Sequence, residues 1–219
     1  MEPGQRRTSA SSSHPVRRDL RRSPLRLSPT SIAVFQQCPQ QYKFRYIDKL
    51  AEQYRKATPH LTMGNHIHAA LKELLSIENA ELRTPVAAKE LLTKEWRTSS
   101  VGFNDAADEK RWFNKAWRQV EAFALGPYVE AMSIMLEAPV EALVSPGVML
   151  YGRVDRVDQQ ADGSVHIIDY KTGRTPAQVV WTQLQLQALI LSIAAPASVG
   201  LVSFLYLEGC HMITREMSA

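Results

Sequence analysis

The chain of 219 residues contains only two cysteines, Cys38 and Cys210, which lie far apart and form no CxxC pattern. A disulfide-stapled scaffold is therefore excluded, and reduced thiols are expected. Two cysteines also cannot supply the four thiolates of an iron–sulfur cluster. Long apolar runs are missing as well, since none reaches the ~18 residues that a membrane-spanning helix needs. These absences favour a cytoplasmic protein with no membrane among its partners.

Basic charge is concentrated at the start of the chain. The 26 basic and 22 acidic residues give a net charge of +4, and residues 1–30 hold seven arginines and two acids, a net +5. The remainder is close to neutral. Residues 1–27 also carry too little apolar surface to fold, so we predict a disordered basic tail over 1–27 and one domain over 28–219. Such a tail can attract nucleic acid, and its arginine-rich, acid-poor composition leaves organelle targeting open as an alternative.

Helical patterns fill the first part of the predicted domain. The first helix begins after Ser28 or Thr30, and Pro39 should kink or split it near Cys38. Three further helices are predicted to begin near His60, at Thr84-Pro85 and after Asn104-Asp105. The apolar residues that we expect these helices to bury are Ile32, Phe35 and Tyr42 in the first, Ile67, Leu71, Leu74 and Leu75 in the second, and Trp112, Trp117, Val120 and Phe123 in the fourth.

Strand patterns follow the helices. Residues 133–144 and 147–160 read as strands joined at Ser145-Pro146-Gly147, and 164–171 is a third strand after the turn at Asp162-Gly163. A helix is predicted over 175–195 and a last buried strand over 198–209. Helices, three hairpin-connected strands, a helix and a strand indicate an α/β protein with a mixed central sheet flanked by helices.

The third strand ends in "HIIDYKTGR", which places Asp169 and Lys171 on one side of the strand. Two hairpin registers are open. A three-residue loop at 161–163 puts Asp155 opposite Asp169, a repulsive pair unless a cation lies between the carboxylates. A two-residue Asp-Gly loop puts Asp169 opposite Arg156, an ordinary ion pair. The Asp-Gly dipeptide favours the second register, and the separation of apolar from charged positions favours the first.

Four segments, "GNHIH", "YGRVDRVD", "IIDYKTGR" and "QLQLQAL", occur in the order that resembles the RecB-type branch of the PD-(D/E)XK nuclease superfamily. The opening "FQQCPQQYKFRYIDKL" resembles the helix with a Cys-Pro step that begins many such domains. The resemblance runs from about Leu27 to Gly209. It implies a restriction-endonuclease-like core of a helix, three strands, a helix and a strand, here with extra N-terminal helices.

The resemblance also implies roles for individual residues. His68 alone would more often be an ordinary surface histidine, and it is the ordered set of motifs that singles it out. The residues that match the metal ligands of the family are His68, Asp155, Asp169 and the backbone carbonyl of Tyr170. Lys171 matches the catalytic lysine, Gln183 matches the glutamine of the following helix, and Glu137 is a weaker match to a first-strand glutamate. Gln187 departs from the tyrosine that relatives often carry.

By this resemblance the protein is expected to be a Mg²⁺- or Mn²⁺-dependent deoxyribonuclease without an iron–sulfur cluster, with catalysis by Lys171, Asp169, Asp155 and Gln183. Its partner would be DNA, as single strands or duplex ends, in repair, recombination or exonuclease-type end processing at the nucleoid. The sequence has no G-x-x-x-x-G-K-[ST] motif, so unwinding would need a helicase or other repair protein. The alternative is a nuclease-fold DNA-binding or assembly module without catalytic activity.

Overall fold

The structure is a computed structural model, which describes residues 23–54, 56–195 and 198–217. Its α-helices are α1 (Pro29–Gln37), α2 (Pro39–Tyr42), α3 (Leu50–Gln53), α4 (Pro59–Leu75), α5 (Pro85–Trp96), α6 (Ala106–Leu125) and α7 (Thr182–Ala194). A π-helical turn, Lys43–Ile47, follows α2, and short 3₁₀ turns occupy Ala80–Leu82 and Pro127–Val129. The strands are β1 (Leu25–Leu27), β2 (Ser133–Ser145), β3 (Val148–Gln159), β4 (Val165–Lys171), β5 (Val199–Tyr206) and β6 (His211–Glu216).

Strand β3 pairs with three other strands of a six-stranded mixed sheet. It pairs along its length with antiparallel β2, which is an edge strand of the described sheet and tolerates Pro139 there. The other edge of β3 pairs first with parallel β1 and then with antiparallel β4. Beyond β4 lie parallel β5 and antiparallel β6. This arrangement confirms the predicted α/β class and mixed sheet.

Helices cover both faces of the sheet, and each face has its own apolar cluster. Helices α4, α5 and α6 pack on the face that presents Ile168 and Leu205. Helix α7 packs on the opposite face, which presents Ile167 and Phe204. The β-strand alternation of side chains explains why neighbours such as Ile167 and Ile168 serve different layers. The functional side chains of β3 and β4 thus lie within reach of helices from both layers.

The first predicted helix is split at the position that Pro39 dictates. Helix α1 ends at Gln37, Cys38 is extended, and α2 begins at Pro39. The prediction that Phe35 is buried is wrong, because its side chain is 52% exposed and Val34 is buried in its place. The break removes the continuous helical face that would have aligned Phe35 with Tyr42. Their rings instead meet edge to face at the surface, with centroids 5.4 Å apart.

Three other elements differ from the predictions. Helix α7 begins at Thr182, seven residues later than expected, and 172–181 form a loop in which Val179 packs against the sheet. Strand β6 was not predicted, because its short polar sequence carries little apolar alternation. Leu25–Leu27, placed in the basic tail, form β1 against β3. Residues 1–22 of that tail lie outside the described residues, so the tail stays a prediction.

Within the described part of the chain, no helix combines the length and apolar character required to span a membrane.

Candidate metal centre

The site lies where strands β3 and β4 stop pairing. Their last paired residues are Arg156 and Ile168, and Val157 lies opposite Ile167. One step further, Asp155 and Asp169 come opposite each other, as the three-residue loop predicts. The loop closes through a hydrogen bond from the Gln160 N–H to the Ser164 carbonyl of 2.9 Å, and Gly163 takes a φ of +84° that favours glycine. The register that pairs Asp169 with Arg156 is therefore excluded.

Arg156 has a different partner. Its guanidinium donates to the Asp158 carboxylate at 2.7 Å and to the Tyr128 carbonyl at 2.8 Å, and both charged side chains are buried. A buried charge is tolerated when it is paired and hydrogen-bonded. The Arg156 side chain thus lies on the α6 side of the sheet and does not neutralise Asp155 or Asp169.

Side chains replace the missing ladder bonds between the two strands. The Tyr170 N–H donates to Asp155 Oδ2 at 2.8 Å, and Gln187 Nε2 donates to the Arg153 carbonyl at 2.8 Å. Buried backbone groups need such partners. The first bond holds the Asp155 carboxylate rigidly, and the second gives Gln187, the departure from the family pattern, a supporting position under β3.

Three potential metal ligands converge on this opening. His68 of α4, Glu137 of β2 and Asp155 of β3 present ligand atoms that all lie within 4.8 Å of one another. His68 Nδ1 is 2.8 Å from Glu137 Oε1 and 3.6 Å from Asp155 Oδ1. The three residues come from three elements far apart in sequence, so their convergence is a product of the fold.

The backbone at Glu137 is unusual. Its φ is +47°, in the left-handed region, and it interrupts the pairing of β2 with β3 between Leu136–Arg156 and Ala138–Val154. Such a conformation costs a non-glycine residue roughly 1–3 kcal/mol and is tolerated mainly at functional sites. The twist places the Glu137 carboxylate beside His68, so this glutamate, the weaker match in sequence, is a full member of the cluster.

Asp169, Lys171 and Gln183 form a second group. Lys171 Nζ lies 2.6 Å from Asp169 Oδ2 and 3.1 Å from Gln183 Oε1, and the Gln183 amide donates to the other oxygen of Asp169. Gln183 lies in the first turn of α7, directly after the loop that delayed the helix. The group is closed on itself, and Asp169 does not share the three-residue cluster that His68, Glu137 and Asp155 form.

Burial raises the pKa of the aspartate in both groups, but the neighbouring charges differ. Burial, followed by the charge of Asp169, raises the pKa of Asp155 to about 7. Burial also raises the pKa of Asp169, although the Lys171 ammonium opposes the shift. For His68, burial acts to lower the pKa, but the hydrogen bond to Glu137 and the nearby carboxylates outweigh it and the pKa lies above its ordinary value. The cluster therefore holds more negative charge than its surroundings compensate.

The cluster opens onto a cavity. A cavity of about 700 Å³ lies over His68, Glu137 and Asp155, with Lys72 and Arg153 among the residues that line it. Arg153 Nη1 lies 3.4 Å from Glu137 Oε2, and its side chain is 65% exposed. Neither cation was predicted from the sequence, since no local pattern marks a lysine or an arginine as part of the rim of a distant site. Thr172, held by a 3.0 Å bond from Gln119 Nε2 to its carbonyl, completes the wall.

The comparisons with known proteins agree with this geometry. A family model described as the PD-(D/E)XK nuclease superfamily matches residues 26–207. A search of curated proteins finds no match. The matched region contains the β3–β4 hairpin, the cluster and α7, while the finer assignment to the RecB-type branch stays a prediction. The chain belongs to the PD-(D/E)XK nuclease superfamily.

Proposed function

We propose that this protein is a divalent-metal-dependent nuclease that hydrolyses phosphodiester bonds in DNA. The observation that supports it most is the convergence of His68, Glu137 and Asp155 beside the Asp169–Lys171–Gln183 group. An acidic group, whose ion-paired cation Arg153 is largely exposed, and an ammonium group share one opening in the sheet. Together they offer a cation site and a fixed positive charge, which are the two requirements for stabilising a reacting phosphate.

The residues present fit a hard divalent cation. Two carboxylates and an imidazole are ligands that Mg²⁺ and Mn²⁺ accept, and the imidazole favours Mn²⁺ somewhat more. Burial first, and the charge of Asp169 second, raise the pKa of Asp155, so its negative charge is only partly compensated within the fold. His68, Glu137 and Asp155 would hold the ion, and we retain Asp169 and the Tyr170 carbonyl as candidate further ligands. A bound divalent cation supplies Lewis-acid stabilisation of negative charge on the reacting phosphate.

The side chains of the second group position the catalytic ammonium. Asp169 and Gln183 hold Lys171 Nζ from two directions, which leaves its remaining N–H free to donate to a phosphate oxygen or to an attacking water. The Tyr170 N–H fixes the Asp155 carboxylate, so the two groups keep their spacing. Arg153 and Lys72, at the rim of the cavity, would attract the phosphate backbone without reading its sequence.

A role in repair, recombination or end processing is part of this proposal, as is a helicase or other repair protein as partner. The test is an assay of purified protein on linear, circular and single-stranded DNA with Mg²⁺, Mn²⁺ or EDTA. We expect cleavage with either metal and none in EDTA, with the Asp155→Asn variant as control against contaminating nuclease. Metal uptake in calorimetry without cleavage of any substrate would contradict the proposal and favour the alternative, a binding module.

A further inference from the structure

A second cavity lies against the catalytic group. Its volume is about 410 Å³, and it shares no lining residue with the cavity over the acidic cluster. Lys171 and Gln183 form one side. Helix α1 contributes Ala33 and Gln36 to the other walls, and the loop before α7 contributes Val180. Strand β5 contributes Phe204 and Tyr206.

Two buried aromatic rings lie beneath this cavity. Phe204 and Tyr206 are two residues apart on β5 and share a face, with ring centroids 6.4 Å apart, and each residue is only 3% exposed. Lys171 Nζ lies 4.9 Å from the centre of the Phe204 ring, and Trp181 packs against the same ring at 5.5 Å. The Lys171 ammonium thus lies over Phe204, and the aliphatic walls supply most of the surface that an occupant could contact.

The chemistry of the walls selects the kind of occupant. Lys171 is the only charged side chain among the described residues that line the cavity. The cavity therefore does not suit an occupant that carries several phosphates. Exposed apolar surface from Ala33 and Val180 suits the faces of a flat ring. The side-chain amides of Gln36 and Gln178 supply donors and acceptors that suit the polar edges of such a ring.

We propose that this cavity receives one unpaired nucleobase of the strand whose phosphate Lys171 contacts, an inference that rests on the proposed function. The volume lies in the range of small-ligand pockets and suits one nucleotide rather than a stacked base pair. A base in a duplex has its faces stacked and its pairing edge covered, so it must leave the helix before it can enter such a pocket. The substrate class is therefore single-stranded DNA or a frayed end.

The experiment combines a blocked cavity with a strand that lacks bases. Ala33 is exposed on α1, and Ala33→Trp would fill the cavity from its outer wall. Ala107→Trp, at an exposed alanine of α6, is the matched control. Affinities are measured in EDTA for a short oligothymidine and for an abasic strand of the same length, and thermal melting checks that each variant folds.

Because withdrawing about 60 Å² of apolar base surface from water changes affinity by roughly tenfold, we expect Ala33→Trp to weaken oligothymidine binding by about that factor. Binding of the abasic strand should stay the same, and Ala107→Trp should change neither. Equal weakening of both strands, or unchanged oligothymidine binding in the folded variant, would overturn the proposal. Should Ala33→Trp fail to fold, Val180→Trp blocks the cavity from another wall, where the side chain is 70% exposed, and the same outcomes apply.

Cleavage assays separate this proposal from the proposed function. If the parent cuts no DNA with any metal, the nuclease function fails, whatever the affinities show. If the parent cuts DNA but Ala33→Trp cuts single strands at the parental rate, only the base pocket fails. Cleavage of covalently closed duplex as fast as single strands would also overturn the base pocket.

Discussion

The two halves of the site handle negative charge in different ways. Asp169 is buried but is paired internally, with Lys171 on one oxygen and Gln183 on the other. Asp155 is also buried, yet the charged groups that act on it are Asp169, Glu137 and a histidine that those carboxylates hold towards its protonated form. The Lys171 ammonium offsets part of the cost of burying Asp169, whereas among the described residues no lysine or arginine pairs with Asp155, and a bound cation would offset its cost. We therefore propose that the His68–Glu137–Asp155 group binds the metal and that the Lys171 group serves catalysis.

The largest effect should come from Asp155→Asn. The amide oxygen can still accept from the Tyr170 N–H, but the metal loses a charged ligand, so cleavage should fall by about a thousandfold. Without metal the variant should melt no lower than the parent, because a crowded charge is removed. Cleavage kinetics, Mn²⁺ calorimetry and melting are the measurements. Asp162→Asn, in the exposed hairpin loop, is the control and should leave cleavage and metal affinity unchanged.

Lys171→Met should separate the two groups. Removing the ammonium leaves the Asp169 carboxylate buried without its partner, so the free energy of unfolding should fall by about 1–2 kcal/mol, a value discounted because Lys171 is partly exposed. Cleavage should fall by about a hundredfold, while Mn²⁺ affinity stays near the parental value. Denaturant unfolding and calorimetry test this. Loss of metal affinity equal to that of Asp155→Asn would show that the two groups are one.

The stability of the protein should depend on pH through Asp155 and His68. The pKa of Asp155 is about 7 in the folded protein, above its unfolded value of about 3.9, and that of His68 is also raised. For both groups the folded state holds the proton more tightly, so their contribution to stability is present at low pH and is lost as the pH rises through the folded pKa.

A bound cation competes with these protons, so the increase in melting temperature caused by Mn²⁺ should grow between about pH 5 and pH 8. Melting curves with and without Mn²⁺ across that range give the comparison. An Mn²⁺ effect that stays constant with pH would show that these groups do not bind the ion.

The smallest effect concerns the backbone of Glu137. Glu137→Gly and Glu137→Ala both remove the carboxylate and should weaken Mn²⁺ binding equally. Only glycine adopts the φ of +47° at little cost, so the glycine variant should be more stable than the alanine variant by about 1 kcal/mol. Denaturant titration of the two variants measures that difference. Equal stability would mean that the left-handed conformation stores no strain.

The sequence predicted the parts of the site that local patterns encode. Asp169 and Lys171 follow a recognisable buried strand. The hairpin sequence left two registers open, and the separation of apolar from charged positions favoured the one that brings Asp155 opposite Asp169. His68 and Gln183 came from the order of motifs. The pairing of Asp169 with Lys171 and Gln183, apart from the three-residue cluster, could not be predicted from the sequence, because it depends on side-chain contacts between α7 and β4.

The wrong predictions arose where a break in a helix or a tertiary contact overrode a local sequence pattern. Phe35 was placed inside because one helical period was carried across Pro39, although the break resets the phase of the helix. The start of α7 was placed at Thr175-Pro176, a strong local start signal, but Val179 packs against the apolar cluster of the sheet and α7, and the segment stays irregular until Thr182. Arg153 and Lys72 meet the cluster only in three dimensions, so no sequence pattern could mark them.

The measurement that tests the metal assignment most directly is anomalous diffraction from crystals grown with Mn²⁺. The account predicts one strong peak within about 2.0–2.3 Å of ligand atoms from His68, Glu137 and Asp155, in crystals grown near pH 7.5 or above. A peak coordinated by Asp169 with Lys171 displaced, and none beside Glu137, would contradict it.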